Sequence, residues 1–116
     1  MIELYGIPNC DTVKKARTWL NEHEVKYAFH DFKKQAISEA LLVDWLQQIG
    51  WQRLLKKTGP TWNKLPAEVK ASIQDDASAL TLMLTHPNVI KRPVLTRDGK
   101  VLATGYNLNE YDNLKL

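Results

Sequence analysis

The stretch Tyr5-Gly6-Ile7-Pro8-Asn9-Cys10-Asp11-Thr12 contains the chain's single cysteine, where one kind of periodicity gives way to another. Before it, Ile2 to Tyr5 has the composition of a short strand. Gly6 and Pro8 break that strand, and Asn9 or Cys10 can serve as the N-cap of a helix running to about His23. A thiol at that turn faces unpaired amide N–H groups and the positive end of the helix dipole, both of which favour thiolate over thiol. Asp11 works against this, because its carboxylate repels a thiolate. A lone cysteine is more often a small buried hydrophobe; its place in a turn rich in strand and helix breakers, rather than inside an element, argues for a reactive one.

Outward from this turn the pattern stays interpretable. Val13, Ala16 and Leu20 recur at helical spacing with Trp19 alongside, while Lys14, Lys15, Asn21 and Glu22 take the other face. Lys26 to Phe32 then reads as a second strand covered in part on both faces. Strand, helix, strand within so short a span predicts a right-handed unit with parallel strands. Cys10 then lies at the carboxyl end of the first strand, the edge where open α/β sheets carry their sites.

From about residue 36 to 88 the chain predicts only helices. Ser38 caps a helix through Leu41, Leu42, Trp45, Leu46 and Ile49, closed by Gly50. Trp51 to Lys57 predicts a short further turn stopped at Thr58-Gly59-Pro60. A small helix follows Pro66, and Asp75 or Asp76 caps another whose stripe is Leu80, Met83 and Leu84. The last third returns to strands: Val89-Ile90 leads through Arg92-Pro93 into Val94-Leu95-Thr96, and Arg97 to Lys100 turns the chain into Val101 to Thr104. A helix from about Asn107 ends it. The order predicts one α/β domain over residues 1–116, with a mixed sheet, flanking helices and an inserted helical segment.

Composition narrows the function. The chain has 116 residues, 44% hydrophobic and 25% charged, as ordinary globular proteins do. Its start lacks a basic region followed by an apolar one, and no long apolar run occurs, so a cytoplasmic protein without membrane contact is expected. A net charge of +3, spread in doublets and triplets, suits anionic small molecules and falls short of a nucleic-acid footprint. Trp19 and Trp45 fall at helical spacing among aliphatic residues, which points to packing rather than base stacking. His23, His30 and His86 have no metal-ligand spacing. With one cysteine, no internal disulfide can form, and a redox cycle must draw its second thiol from another molecule.

Four stretches together resemble the arsenate reductase-like family, and most nearly its YffB-type glutathione-dependent thiol reductases, which are related to the Spx regulators. These are Tyr5 to Thr12 with Lys14-Lys15-Ala16-Arg17, Leu54-Leu55-Lys56-Lys57, Pro87 to Val94, and Gly105-Tyr106. The resemblance spans nearly the whole chain. It implies a thioredoxin-like fold with a four-stranded sheet, a nucleophile at Cys10, an arginine beside it at Arg92, and a cis peptide before Pro93. Gly6 stands where arsenate-reducing members have a histidine. Of their three arginines only Arg92 is matched, the other places holding Lys56 and a residue near Thr104. Val13 stands where Spx regulators carry the second cysteine of a Cys-x-x-Cys switch.

The expected chemistry is attack by Cys10 on an oxidised sulfur or an oxyanion, with release of the mixed disulfide by glutathione as cosubstrate and no bound cofactor. Arg92 would lower the Cys10 pKa and pair with a carboxylate or oxyanion. Backbone N–H groups from Asn9 through Asp11 to Thr12 would form an anion-binding turn. The Thr12 hydroxyl either bonds the sulfur or caps the helix, and capping is the expectation. Lys56 and Pro93 complete the expected substrate contacts. The alternatives are a non-enzymatic, Spx-like regulator with a protein partner, and a weak arsenate reductase.

Overall fold

The computed structural model describes all of residues 1–116, which divide into two compact units: Met1–Ile37 with Arg92–Leu116, and Ser38–Lys91. The first unit holds β1 (Ile2–Gly6), α1 (Asp11–Glu22), β2 (Tyr27–Asp31), β3 (Val94–Arg97), β4 (Lys100–Thr104) and α7 (Leu108–Asp112). The second holds α2 (Glu39–Ile49), α3 (Trp51–Leu54), α4 (Pro60–Asn63), α5 (Ala67–Ala71) and α6 (Asp76–Thr85), with a 3-10 turn at Pro87–Val89.

The four strands form a single sheet in the order β2-β1-β3-β4. β1 pairs parallel to β2, from Ile2 opposite Tyr27 to Gly6 opposite Asp31, and antiparallel to β3. β3 and β4 make the hairpin, with an irregularity between Leu95 and Thr96. This is the thioredoxin-like mixed sheet the family resemblance implies. On one face of the sheet Leu4 and Leu95 join Ala16, Trp19 and Leu20 of α1, and Tyr111 of α7, in one buried cluster. Each large aliphatic side chain so buried contributes about 1.5–3 kcal/mol. Trp19 belongs to this core, and its indole N–H donates to Asp112 of α7 at 2.9 Å, so the ring's polar edge is satisfied where it reaches the surface.

The second unit begins as the capping residues predict. The Leu41 N–H donates to the Ser38 hydroxyl, and Gly50 ends α2 at φ 81°, a left-handed angle that glycine takes without steric cost. Asp75 and Ser78 cap α6 reciprocally. Trp45 is fully buried, in the packing role expected of it.

Three local expectations fail. Thr58-Gly59-Pro60 does not simply stop the chain; Pro60 opens α4, because a proline in the first helical turn gives up only an N–H that would be unpaired anyway. Val89, expected with Ile90 to lead toward the third strand, instead closes a 3-10 turn over Pro87–Val89. Helix α3 also ends at Leu54, short of Lys57, where Leu55 bridges to Ile90 and the Lys56 N–H donates to Val89. No helix is long and apolar enough to cross a membrane.

Candidate active site

Cys10 sits at the C-terminal edge of β1, held by a tight turn and by the helix it starts. Its N–H donates to the Ile7 carbonyl at 3.3 Å, and its carbonyl accepts from Lys14 at 2.9 Å, the first bond of α1. The backbone at Cys10 is extended, at φ −94° and ψ 130°, which makes it rather than Asn9 the N-cap. Its side chain makes no regular capping hydrogen bond, so the sulfur is left half-exposed at the mouth of the helix.

Arg92 and Pro93 reach the same place from the far end of the chain. The Arg92–Pro93 peptide is cis, as the resemblance implies, and Pro93 is buried. The Thr12 hydroxyl lies 3.1 Å from the Cys10 sulfur and donates to the Arg92 carbonyl, also at 3.1 Å. Capping is therefore not its role. The hydroxyl links the first turn of α1 to the residue before the cis proline, eighty positions on in sequence.

This link has a consequence for ionisation. A hydroxyl has one proton. While it donates to the Arg92 carbonyl it can only accept from the thiol, and to donate to a thiolate sulfur it has to turn away from that carbonyl. The Pro93 carbonyl is already occupied by the Gly105 N–H at 2.9 Å, and Pro93 has no N–H. Each of these carbonyls keeps a second lone pair, and the buried Pro93, after its cis bond, fixes the direction of the turn.

Burial of the sulfur pushes the Cys10 pKa up, but the Thr12 hydroxyl, the Val13 N–H, the Arg92 side chain and the Thr12 N–H together outweigh it and draw the thiol down to about 7. Asp11, exposed at the start of α1, is not among the groups acting on the sulfur, contrary to the repulsion its charge suggests in the sequence. Asn9 is exposed in the turn itself. Lys56 is half-buried and belongs to the second unit. No group of three or more His, Cys, Asp and Glu side chains could hold a metal ion.

Because Thr12 is the first of the groups favouring the thiolate, Thr12→Val should raise the midpoint of Cys10 alkylation against pH more than Arg92→Ala does, and Thr12→Ser should restore it. The opposite order would make the guanidinium the main support of the thiolate.

Comparison with known proteins places the chain in a family and agrees with its fold. The family model described as ArsC family matches residues 5–114. A solved structure described as YFFB (PA3664) protein is 46% identical and superposes with a TM-score of 0.88, covering 97% of this chain and 96% of that one. An arsenate reductase (ArsC) related protein from Brucella melitensis is 45% identical with a TM-score of 0.78, over 96% of this chain and 91% of that one. The global transcriptional regulator Spx of Bacillus subtilis is 31% identical over 116 residues, which are 95% of this chain and 83% of that protein.

Proposed function

The chain belongs to the ArsC family, and we propose that within it this protein is a glutathione-dependent thiol–disulfide reductase with Cys10 as nucleophile and a reducing cytoplasm as its setting. The observation that carries the reading is a lone cysteine whose thiol is drawn to about 7 by groups directed at its sulfur. The optimum attacking thiol has a pKa near ambient pH, where thiolate is plentiful and still nucleophilic.

The Cys10 thiolate attacks one sulfur of a substrate disulfide. That S–S bond breaks, a Cys10 mixed disulfide forms, and the other sulfur leaves as a thiolate that takes a proton from water. Glutathione thiolate then attacks the mixed disulfide and restores Cys10, leaving the oxidised sulfur bonded to glutathione, and a second glutathione thiolate displaces that sulfur, giving the reduced thiol and glutathione disulfide. The chain has no other cysteine to perform this second step. The Arg92 carbonyl, with a lone pair beside the one that takes the Thr12 hydroxyl, can accept a backbone N–H of the bound peptide, and the Arg92 side chain, beside the sulfur, supports the thiolate each time it is regenerated.

The likeness to Spx favours a second reading, an interaction protein. Val13, fully buried three residues after Cys10, cannot supply the redox switch such a regulator would use. An arsenate reductase would need more cationic groups on the oxyanion than the one arginine that reaches the thiol.

Oxidised glutathione should therefore leave one adduct, on Cys10, which reduced glutathione removes, and a coupled assay should give steady reduction of a small disulfide with little or no arsenate turnover. An unmodified Cys10 at neutral pH would overturn the reductase. Robust arsenate turnover would move the assignment to the oxyanion.

A further inference from the structure

On the β2 side of the Cys10 turn lies a groove of about 440 Å³, lined by Pro8, Arg17, Phe29, His30, Asp31 and Lys34. Pro8 is two residues from the nucleophile, so the groove begins where the reactive turn begins. Its charged groups are set by local structure. The Arg17 guanidinium lies over the Phe29 ring at 4.1 Å, and its Nε donates to the Tyr27 hydroxyl at 3.0 Å. That fixes the plane of the fork while leaving the outer nitrogens for a ligand. The Asp31 carbonyl accepts from Lys34 and Gln35, and one Asp31 carboxylate oxygen accepts from the Lys33 N–H at 2.8 Å, holding Asp31 and Lys34 side by side in one turn. Neither Arg17 nor Lys34 is in an ion pair.

We infer that this groove binds the γ-glutamyl end of glutathione, an α-amino acid head group carrying one carboxylate and one ammonium. The inference rests on the reading of Cys10 as a glutathione-dependent nucleophile. Arg17 and Lys34 receive the carboxylate, and the free oxygen of Asp31 receives the ammonium. A simple oxyanion, or the glycyl carboxylate alone, would leave Asp31 repelling the ligand. The reach also fits. Arg17 follows Cys10 by seven residues of helix, roughly 10 Å at about 1.5 Å per residue. The arm from the glutathione sulfur through its isopeptide link to the glutamyl head group is roughly 10 Å when extended.

The test is single-turnover exchange at Cys10, followed by mass spectrometry, with three disulfides: that of glutathione, that of cysteinylglycine, which lacks the γ-glutamyl group, and neutral 2-hydroxyethyl disulfide, which reads the thiol alone. With rates referred to the neutral disulfide, glutathione disulfide should exceed cysteinylglycine disulfide by about tenfold. Arg17→Ala should remove most of that preference, and Lys34→Glu, at an exposed side chain, should reduce it by about threefold. Arg17→Lys, which keeps the charge and loses the fork, should fall between native and Arg17→Ala. An unaltered preference in both the Arg17→Ala and Lys34→Glu variants would overturn the groove. Equal losses for the glutathione and cysteinylglycine disulfides would overturn it in favour of the glycyl carboxylate. Slow exchange of the native chain with all three would overturn the parent reading and this one with it, a result distinct from fast exchange without preference.

Discussion

Cys10→Ser should abolish disulfide exchange, reducing it by at least ~10³-fold to background, because no other side chain in the protein can form the mixed disulfide. In the native protein, the alkylation rate against pH should have its midpoint near 7, fall tenfold per unit below it, and level off above. The midpoint is a better diagnostic than the rate itself. At pH 7 a thiol with this pKa carries roughly sixteen times the thiolate of an ordinary cysteine titrating at ~8.5. Its intrinsic nucleophilicity falls with its basicity, with a Brønsted slope of about 0.4–0.5, which removes roughly a factor of five. The net gain at pH 7 is then only about threefold, while the midpoint moves by more than a full unit. A midpoint at or above 8.5 would mean that burial outweighs the donors around the sulfur, and Cys10 would be an inert thiol in a suggestive place.

The parts of this site that can be read from sequence are those whose cause is local. Gly6 and Pro8 break a strand, Val13, Ala16 and Leu20 start a helical period, and the turn between them has to carry Cys10. The Thr12 contacts are different. Two residues past a cysteine at a helix start, a threonine has the same sequence signature as a cap, and the partner that decides its role is the Arg92 carbonyl, a backbone atom that no residue type announces. The cis bond at Pro93 was legible through family resemblance and not through its neighbours, since Arg-Pro alone favours trans. Pro60 shows the reverse limitation: the sequence marks a break, but a proline that breaks one element can begin the next. Arg17 enters the sequence reading only within the Lys14-Lys15-Ala16-Arg17 motif, and only the fold brings Phe29 and Tyr27 beneath it.

The largest effect on the fold itself is expected at Gly6. A Cβ built there would lie 2.6 Å from Cγ2 of Val13 and 3.3 Å from its Cγ1. Val13 is fully buried, and its branched side chain has little rotamer freedom in a helix, so it cannot swing aside. Nor can β1 yield: it pairs with β2 on one side and β3 on the other, and the Gly6 carbonyl accepts from Phe32 at 2.9 Å. The first turn of α1 has to move, and it carries Cys10 and Thr12. Gly6→Ala should therefore cost about 1–3 kcal/mol by overpacking and raise the Cys10 midpoint, because the 3.1 Å contact between Thr12 and the sulfur opens. A histidine, which arsenate-reducing relatives are expected to carry at this position, would need still more room. Val13→Ala alone leaves a cavity at a cost of roughly 2 kcal/mol. In the Gly6→Ala/Val13→Ala double variant the new methyl occupies part of that cavity, so denaturant unfolding should show a loss smaller than the sum of the two single losses by about 0.5–3 kcal/mol, with the thiol midpoint returning toward 7. Strict additivity would mean that Gly6 and Val13 do not share one space, and that the absence of a side chain at position 6 has a cause other than the helix packed against it.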